Sequence, residues 1–230
     1  MRIGVIGAMQ IEVDNLKASM SDISTKEYSG VTYVCGTIGD KEVVAAVCGI
    51  GKVFAAICAE AMILEYHPDA IINSGVAGSL CRSIKIGDIV IAESVVQHDM
   101  DTSPLGDPKG LISGINIINI PCDKTVAEYL KNCCDSLGIK NFGGVIATGD
   151  VFMSNEENKK EVADRFNAKA CEMEGASVGQ VCYVNKVPFC VLRAISDNAD
   201  DGAEITYETF AAESAKKTHA VIDKFIRNFQ

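Results

Sequence analysis

Short β-branched runs alternate with segments of helical periodicity along almost the whole chain. The runs at 3–6, 43–47, 70–73, 89–92, 145–147 and 189–195 predict strands. Several are continuously apolar, as expected where a sheet is covered on both faces. Helices are predicted at 10–20, 53–66, 124–137, 157–166, 175–185 and 207–228. The clearest is the third, where Val126, Tyr129, Leu130, Cys133, Cys134 and Leu137 follow the i, i+3, i+4, i+7 spacing of one buried face. Asp123 is placed to cap its start and Gly138 its end. Ile222, Phe225, Ile226 and Phe229 repeat the pattern near the C-terminus. Only 99–116, rich in Asp, Gly, Ser and Pro, lacks periodicity, and a loop of that length in a compact domain is usually functional or disordered. The alternation predicts a three-layer α/β/α fold around a mixed, mostly parallel twisted sheet, with residues 1–230 as one domain.

Composition narrows the partners. With 48% apolar and 23% charged residues the chain can bury a sizeable core. A net charge of -10 without any basic run argues against nucleic acid, whose backbone is held by clustered Lys and Arg. No stretch of 18 apolar residues predicts a membrane span. The ten cysteines sit mostly inside apolar runs, as at Cys48, Cys58 and Cys190, where a thiol behaves as a small hydrophobe. No CxxC pair occurs and the three histidines lie far apart, so neither a zinc site nor any other metal centre is expected. Reduced core thiols point to a cytoplasmic setting. Gln10, Glu12 and Asp14 interrupt the first apolar run too early for a signal peptide.

Two glycine motifs fail on inspection. Gly4-Val-Ile-Gly7 lacks the third glycine of a dinucleotide fingerprint. Cys48-Gly-Ile-Gly-Lys52 lacks the spacing and the Ser or Thr of a phosphate loop. Both are read as glycines permitting tight strand-to-helix turns.

In α/β sheets ligands gather at the carboxyl ends of strands. That directs attention to an ordered set: Gly4-Val-Ile-Gly-Ala-Met-Gln-Ile-Glu12, Gly49-Ile-Gly-Lys-Val53, Asn73-Ser-Gly-Val-Ala-Gly78, His98-Asp-Met-Asp101, Gly149-Asp-Val-Phe152, Glu172-Met-Glu174 and Arg193-Ala-Ile-Ser-Asp197. In this order and spacing, over residues 1 to about 228, the set resembles the 5′-methylthioadenosine/S-adenosylhomocysteine nucleosidases of the nucleoside phosphorylase superfamily. The resemblance implies hydrolysis of an N-glycosidic bond of an adenine nucleoside, without a cofactor, by a homodimer that recycles by-products of S-adenosylmethionine.

Such a reaction develops positive charge on ribose and negative charge on the departing base. It needs an acid for the base, an acceptor for a proton of the attacking water, and groups that grip the sugar. By resemblance Asp197 is the general acid at adenine N7, oriented by Ser196, and Glu12 is the general base for water. Each also has an ordinary reading, an acid opening the 198–202 turn and an acid in a helix's first turn. Glu174 is expected to accept from the ribose hydroxyls, Met173 to pack beneath the sugar, and Phe152 to stack on adenine. The Met153 backbone reads the base edge, and Tyr207 closes over the base. Ala77 and Gly78 leave room for substrate, and Arg193 fixes Glu12 or the water. Met9, Ile50, Val76, Glu172 and Ala199 complete the substrate-binding set, with Thr102 and Leu105 reaching across the dimer interface. Val76 and Cys48 stand where relatives often carry Ser, and Thr102 and Leu105 replace larger apolar residues, which leaves the 5′ substituent open.

Three alternatives differ in chemistry. A phosphorylase would need several arginines for phosphate, and neither the first strand's end nor 73–78 supplies one. An aminodeoxyfutalosine nucleosidase would share the adenine-side residues. A non-catalytic nucleoside binder would have no use for an acid near N7.

Overall fold

Each apolar run nucleates a strand, and the strands run longer than their apolar cores. The computed structural model describes residues 1–199 and 203–230. In chain order they form β1 (Arg2–Gly7), α1 (Gln10–Ala18), β2 (Ser21–Tyr28), β3 (Val31–Ile38), β4 (Lys41–Val47), α2 (Lys52–Tyr66), β5 (Ala70–Ser79) and β6 (Ile89–Gln97). A 3-10 turn (Ser103–Leu105), β7 (Ile120–Pro121), α3 (Lys124–Ser136), β8 (Asn141–Thr148), α4 (Glu156–Phe166), β9 (Ala168–Glu172), α5 (Gly175–Asn185), β10 (Phe189–Asp197) and α6 (Ala203–Asn228) follow. Residues 200–202 of the expected 198–202 turn lie outside the described residues.

The strands make one mixed sheet built from two parallel runs, β6-β8-β9 and β10-β5-β1-β4. Antiparallel seams join them at β10–β6 and β5–β9, so β6, β8, β9, β5 and β10 close into a ring. Antiparallel β3 and β2 extend the open edge beyond β4. The ring brings the carboxyl ends of β5, β8, β9 and β10 together, which is where a ligand site belongs.

The helices pack in two groups, α1, α6 and α3 in one and α2 with α5 in the other, while α4 lies on β8 and β9. Ile3, Ile6, Ile71, Ile72 and Leu192 of the strands are fully buried in the main core together with Phe225 of α6. Each such side chain contributes about 1.5–3 kcal/mol of burial free energy. Phe225 and Phe229 meet Tyr129 of α3, with the Tyr129–Phe229 ring centroids 5.0 Å apart. A smaller cluster of Leu80, Val96, Met153, Phe166 and Ala199 supports the other end of the ring.

Asp123 caps α3 by accepting from Val126 N–H at 2.9 Å. Helix α3 stops one residue early: Leu137 is its C-cap, and Gly138 follows in the left-handed region at φ +66°. Leu137 therefore leaves the predicted buried face and is 40% exposed. The 99–116 loop holds only the 3-10 turn and the first half of a bridge between Ile112 and Ile117. Among the described residues no helix is long and apolar enough to cross a membrane. All ten cysteines are free, and eight are buried.

Candidate active site

The ends of β1, β5, β8, β9 and β10 surround a cleft of ≈ 200 Å³. Its walls carry Met9, Glu12, Ile50, Val76, Ala77, Gly78, Phe152, Met153, Glu172, Met173, Glu174, Ser196, Asp197 and Tyr207 from the sequence-predicted set. Val151 and Cys171 also line it and had not been expected. Arg193 and Ala199, placed in the substrate-binding set, stand behind the wall. None of the described residues lining the cleft is Lys or Arg.

Four carboxylates line this space while almost wholly buried: Glu12 is 5% exposed, Glu172 8%, Glu174 6% and Asp197 3%. Ionised groups are costly in such surroundings unless they are held or working. Glu12, in the first turn of α1, is held among the described residues by three backbone donors. Its Oε2 accepts from Ala8 N–H at 2.7 Å and Met9 N–H at 3.0 Å, and its Oε1 from Val76 N–H at 3.2 Å. A Cβ at residue 75 would lie 2.5 Å from Glu12 Oε1, so Gly75 makes room for that carboxylate. Burial pushes the Glu12 carboxyl above its ordinary range, against the opposing charge of Arg193 and the three N–H donors. Glu12 thus sits where its ordinary reading puts it, at the helix start, and also lines the cleft.

Asp197 ends β10 just past a bulge between Ile195 and Asp197, a device that re-aims side chains. Ser196 Oγ donates to its Oδ2 at 2.9 Å and Ala199 N–H to its Oδ1 at 2.8 Å. Opposite, a Cβ at Gly78 would come within 2.7 Å of Asp197 Oδ1. Gly78 therefore makes room for the carboxylate itself. Ala199 serves Asp197 from a left-handed backbone at φ +53°.

Arg193 acts on Glu12 through its charge, and its hydrogen bonds and ion pairs among the described residues go elsewhere. Its guanidinium is fully buried, ion-paired with Glu172, 3.8 Å from Glu174 Oε2, and donates to Asn73 Oδ1 at 2.5 Å. Glu172 in turn accepts from Thr148 Oγ1 and from the N–H groups of Glu174 (3.1 Å) and Gly175 (2.7 Å). Both Glu172 oxygens are engaged within the protein, so it shapes the turn that carries Met173 and Glu174. Asn73 and Thr148 are the members of this network that the sequence reading missed. Their signal was a polar residue in a buried strand, Asn73 within β5 and Thr148 at the end of β8. Glu174 Oε1 accepts from Gly51 N–H at 2.9 Å. Burial, and next the charge of Glu172, push its pKa up to about 7 against Arg193 and that N–H. Unfolded, it titrates near 4.5. Ionising it in the fold therefore costs stability, a cost absent below pH 4.5 and complete above about pH 7.

Phe152 is half-exposed at the mouth and meets Tyr207 edge-on at 5.9 Å, while the Tyr207 hydroxyl reaches Met9 Sδ at 2.9 Å. An aromatic shelf thus closes one end of the cleft. Thr102 and Leu105 do not line it. Thr102 Oγ1 donates to Asp107, and Leu105 is 84% exposed on the surface.

This α/β ring with its carboxylate-lined cleft falls in a known class. The chain matches the phosphorylase superfamily over residues 2–227 and belongs to it. It is 37% identical to a 5′-methylthioadenosine/S-adenosylhomocysteine nucleosidase of Shewanella loihica, over 99% of this chain and 100% of that one. An aminodeoxyfutalosine nucleosidase of Campylobacter jejuni is 38% identical over 94% of each. The S-adenosylhomocysteine nucleosidase of Streptococcus pyogenes, solved with 5-methylthiotubericidin, superposes with a TM-score of 0.96 at 32% identity, covering 100% of this chain and 98% of that one. Within the superfamily the chain is a member of the 5′-methylthioadenosine/S-adenosylhomocysteine nucleosidase family.

Proposed function

We propose that the chain hydrolyses the N-glycosidic bond of 5′-methylthioadenosine and S-adenosylhomocysteine, releasing adenine and the 5′-thio-substituted ribose. The observation that carries this reading is the grouping of buried Glu12, Glu174 and Asp197 on one cleft, with no Lys or Arg among its described lining residues. Asp197 gives a proton to adenine N7 as the C1′–N9 bond breaks and its electron pair passes to the base. Glu12 takes a proton from the water that attacks C1′. Glu174 accepts from the ribose hydroxyls, Met173 packs beneath the sugar, and Phe152 with Tyr207 encloses the base. A walled site of this kind stabilises charge where it develops.

Water is favoured over phosphate because a dianion needs several charged donors, and the nearest one, Arg193, is paired with Glu172. The test is adenine release from 5′-methylthioadenosine, S-adenosylhomocysteine and aminodeoxyfutalosine, each with and without phosphate. Release from the two thio-nucleosides at a phosphate-independent rate is expected, and no release from any of them would sink the assignment. Aminodeoxyfutalosine is included because a relative named for it shares as much sequence as the thio-nucleosidases do.

Acidification should slow the enzyme. Glu174 must be ionised to accept from both hydroxyls and Glu12 to take a proton, and both titrate above their ordinary range. We expect kcat/KM to fall at least about tenfold per pH unit below about pH 7, tenfold for Glu174 alone and more steeply where Glu12 protonates as well. A profile flat from pH 7 to pH 5, on the order of two units, contradicts this.

The chain is further proposed to act as one domain in a cytoplasmic homodimer serving methionine salvage. Ten free cysteines suit a reducing compartment. Val53, Phe54 and Ile57 leave an exposed apolar stripe on α2 beside Ile50, a surface of the kind that partners cover. A second copy there would let Thr102 and Leu105 reach its cleft.

A further inference from the structure

The Gly-Ile-Gly-Lys segment that fails as a phosphate loop has another use in this fold. Lys52 opens α2, and its side chain crosses to Asp99 at the start of the long loop, Nζ to Oδ1 at 2.7 Å, with Gln97 Oε1 at 3.3 Å. The second Asp99 oxygen accepts from Asp150 N–H at 2.9 Å. Asp150 closes the circuit, its Oδ1 accepting from Lys52 N–H at 2.8 Å at the positive end of α2. Lys52 and Asp99 are both largely shielded from water, which strengthens the pair beyond a surface salt bridge. Burial alone would raise the Asp99 carboxyl, but the Lys52 ammonium and the Asp150 N–H outweigh it and hold the group below its usual range.

This circuit ties the segment that leads to Phe152 to the segment that carries Gly51 and Lys52. Asp150 is two residues from Phe152, on the wall read as holding the base. Lys52 follows Gly51, whose N–H holds Glu174, and Ser177 Oγ donates to Lys52 O at 2.5 Å just beyond Glu174. We propose that Lys52, Asp99 and Asp150 form a strut that sets the spacing between the base wall and the sugar wall, with Lys52 and Asp99 as positioning residues for the hydrolysis proposed above. The strut touches no reacting atom. It acts by holding Glu174 and Phe152 at the separation that one nucleoside spans, and a displacement of about 1 Å in such an arrangement can cost about a hundredfold in rate.

The test compares wild type with K52M, K52R, D99N and K52M/D99N, using 5′-methylthioadenosine as substrate and adenine as a competitive inhibitor that needs only the base wall. K52M and D99N should each lose about tenfold or more in kcat, with the adenine inhibition constant held within about twofold. The double variant should lose little more than either single one, since the two groups act as a unit. K52R, which keeps the charge, should recover most of the rate. The strut is refuted if kcat stays within about twofold of wild type in both single variants. It is equally refuted if kcat, adenine affinity and melting temperature fall together, or if neither variant folds, because the role would then be structural. A wild type that releases no adenine refutes the functional reading instead, so the two failures are distinguishable.

Discussion

Asp197→Asn should lower kcat for adenine release by about 10²- to 10⁴-fold, the range a positioned general acid supplies. The substitution keeps the side chain's size. An amide oxygen can still accept from Ala199 N–H, and Gly78 still leaves the space that the group fills. What disappears is the proton that neutralises the departing adenine. Melting temperature should therefore stay close to that of wild type, and an uncleavable adenine nucleoside should still bind. A variant that turns over at near wild-type rate would show that the acid is another group. One that loses rate and binding together would place Asp197 in substrate binding alone.

Arg193→Met should be the most damaging change to the fold. Removing the guanidinium leaves Glu172 buried with its main counter-charge gone, which costs about 3–5 kcal/mol in comparable buried pairs. The same change takes the Arg193 donor from Asn73 Oδ1 and loosens the turn from Glu172 to Gly175 that carries Glu174. Denaturant unfolding should show the stability loss, and kcat should fall with it. Adding Glu172→Gln removes the stranded charge. It should restore part of the stability and none of the rate, because Glu174 remains without its nearby cation. A loss below about 1 kcal/mol in R193M would mean that the pair is weakly coupled to the fold.

The helices and apolar strands were readable because each buries a periodic face, as in α3 and the end of α6. What escaped lacks that pattern. Strand β2 is polar and exposed along nearly its whole length, an edge strand held by backbone bonds to β3. Strand β3 buries its residues without alternation, and β7 and β9 are short. The closed ring was equally invisible, since β10 pairs parallel to β5 and antiparallel to β6 at once.

In the cleft, residues that follow strands were legible from the strand-end rule together with the family resemblance. Partnerships between them were not. Arg193 lies four residues before Asp197 in sequence and pairs instead with Glu172 of the neighbouring turn. The Lys52–Asp99–Asp150 circuit joins three segments that no local spacing connects. Gly78 looked like room for substrate, and in the fold it is also room for Asp197, while Gly75, which had no such reading, makes room for Glu12.

The central claim is that this cleft directs water, with no phosphate, to C1′ of an adenine nucleoside. Its most direct test is a single incubation of 5′-methylthioadenosine with the enzyme in phosphate-free buffer made with heavy-oxygen water. Free adenine should form together with a thio-ribose carrying the heavy oxygen at C1, and added phosphate should not change the rate. Adenine release that depends on phosphate, or a ribose 1-phosphate product, would contradict the account.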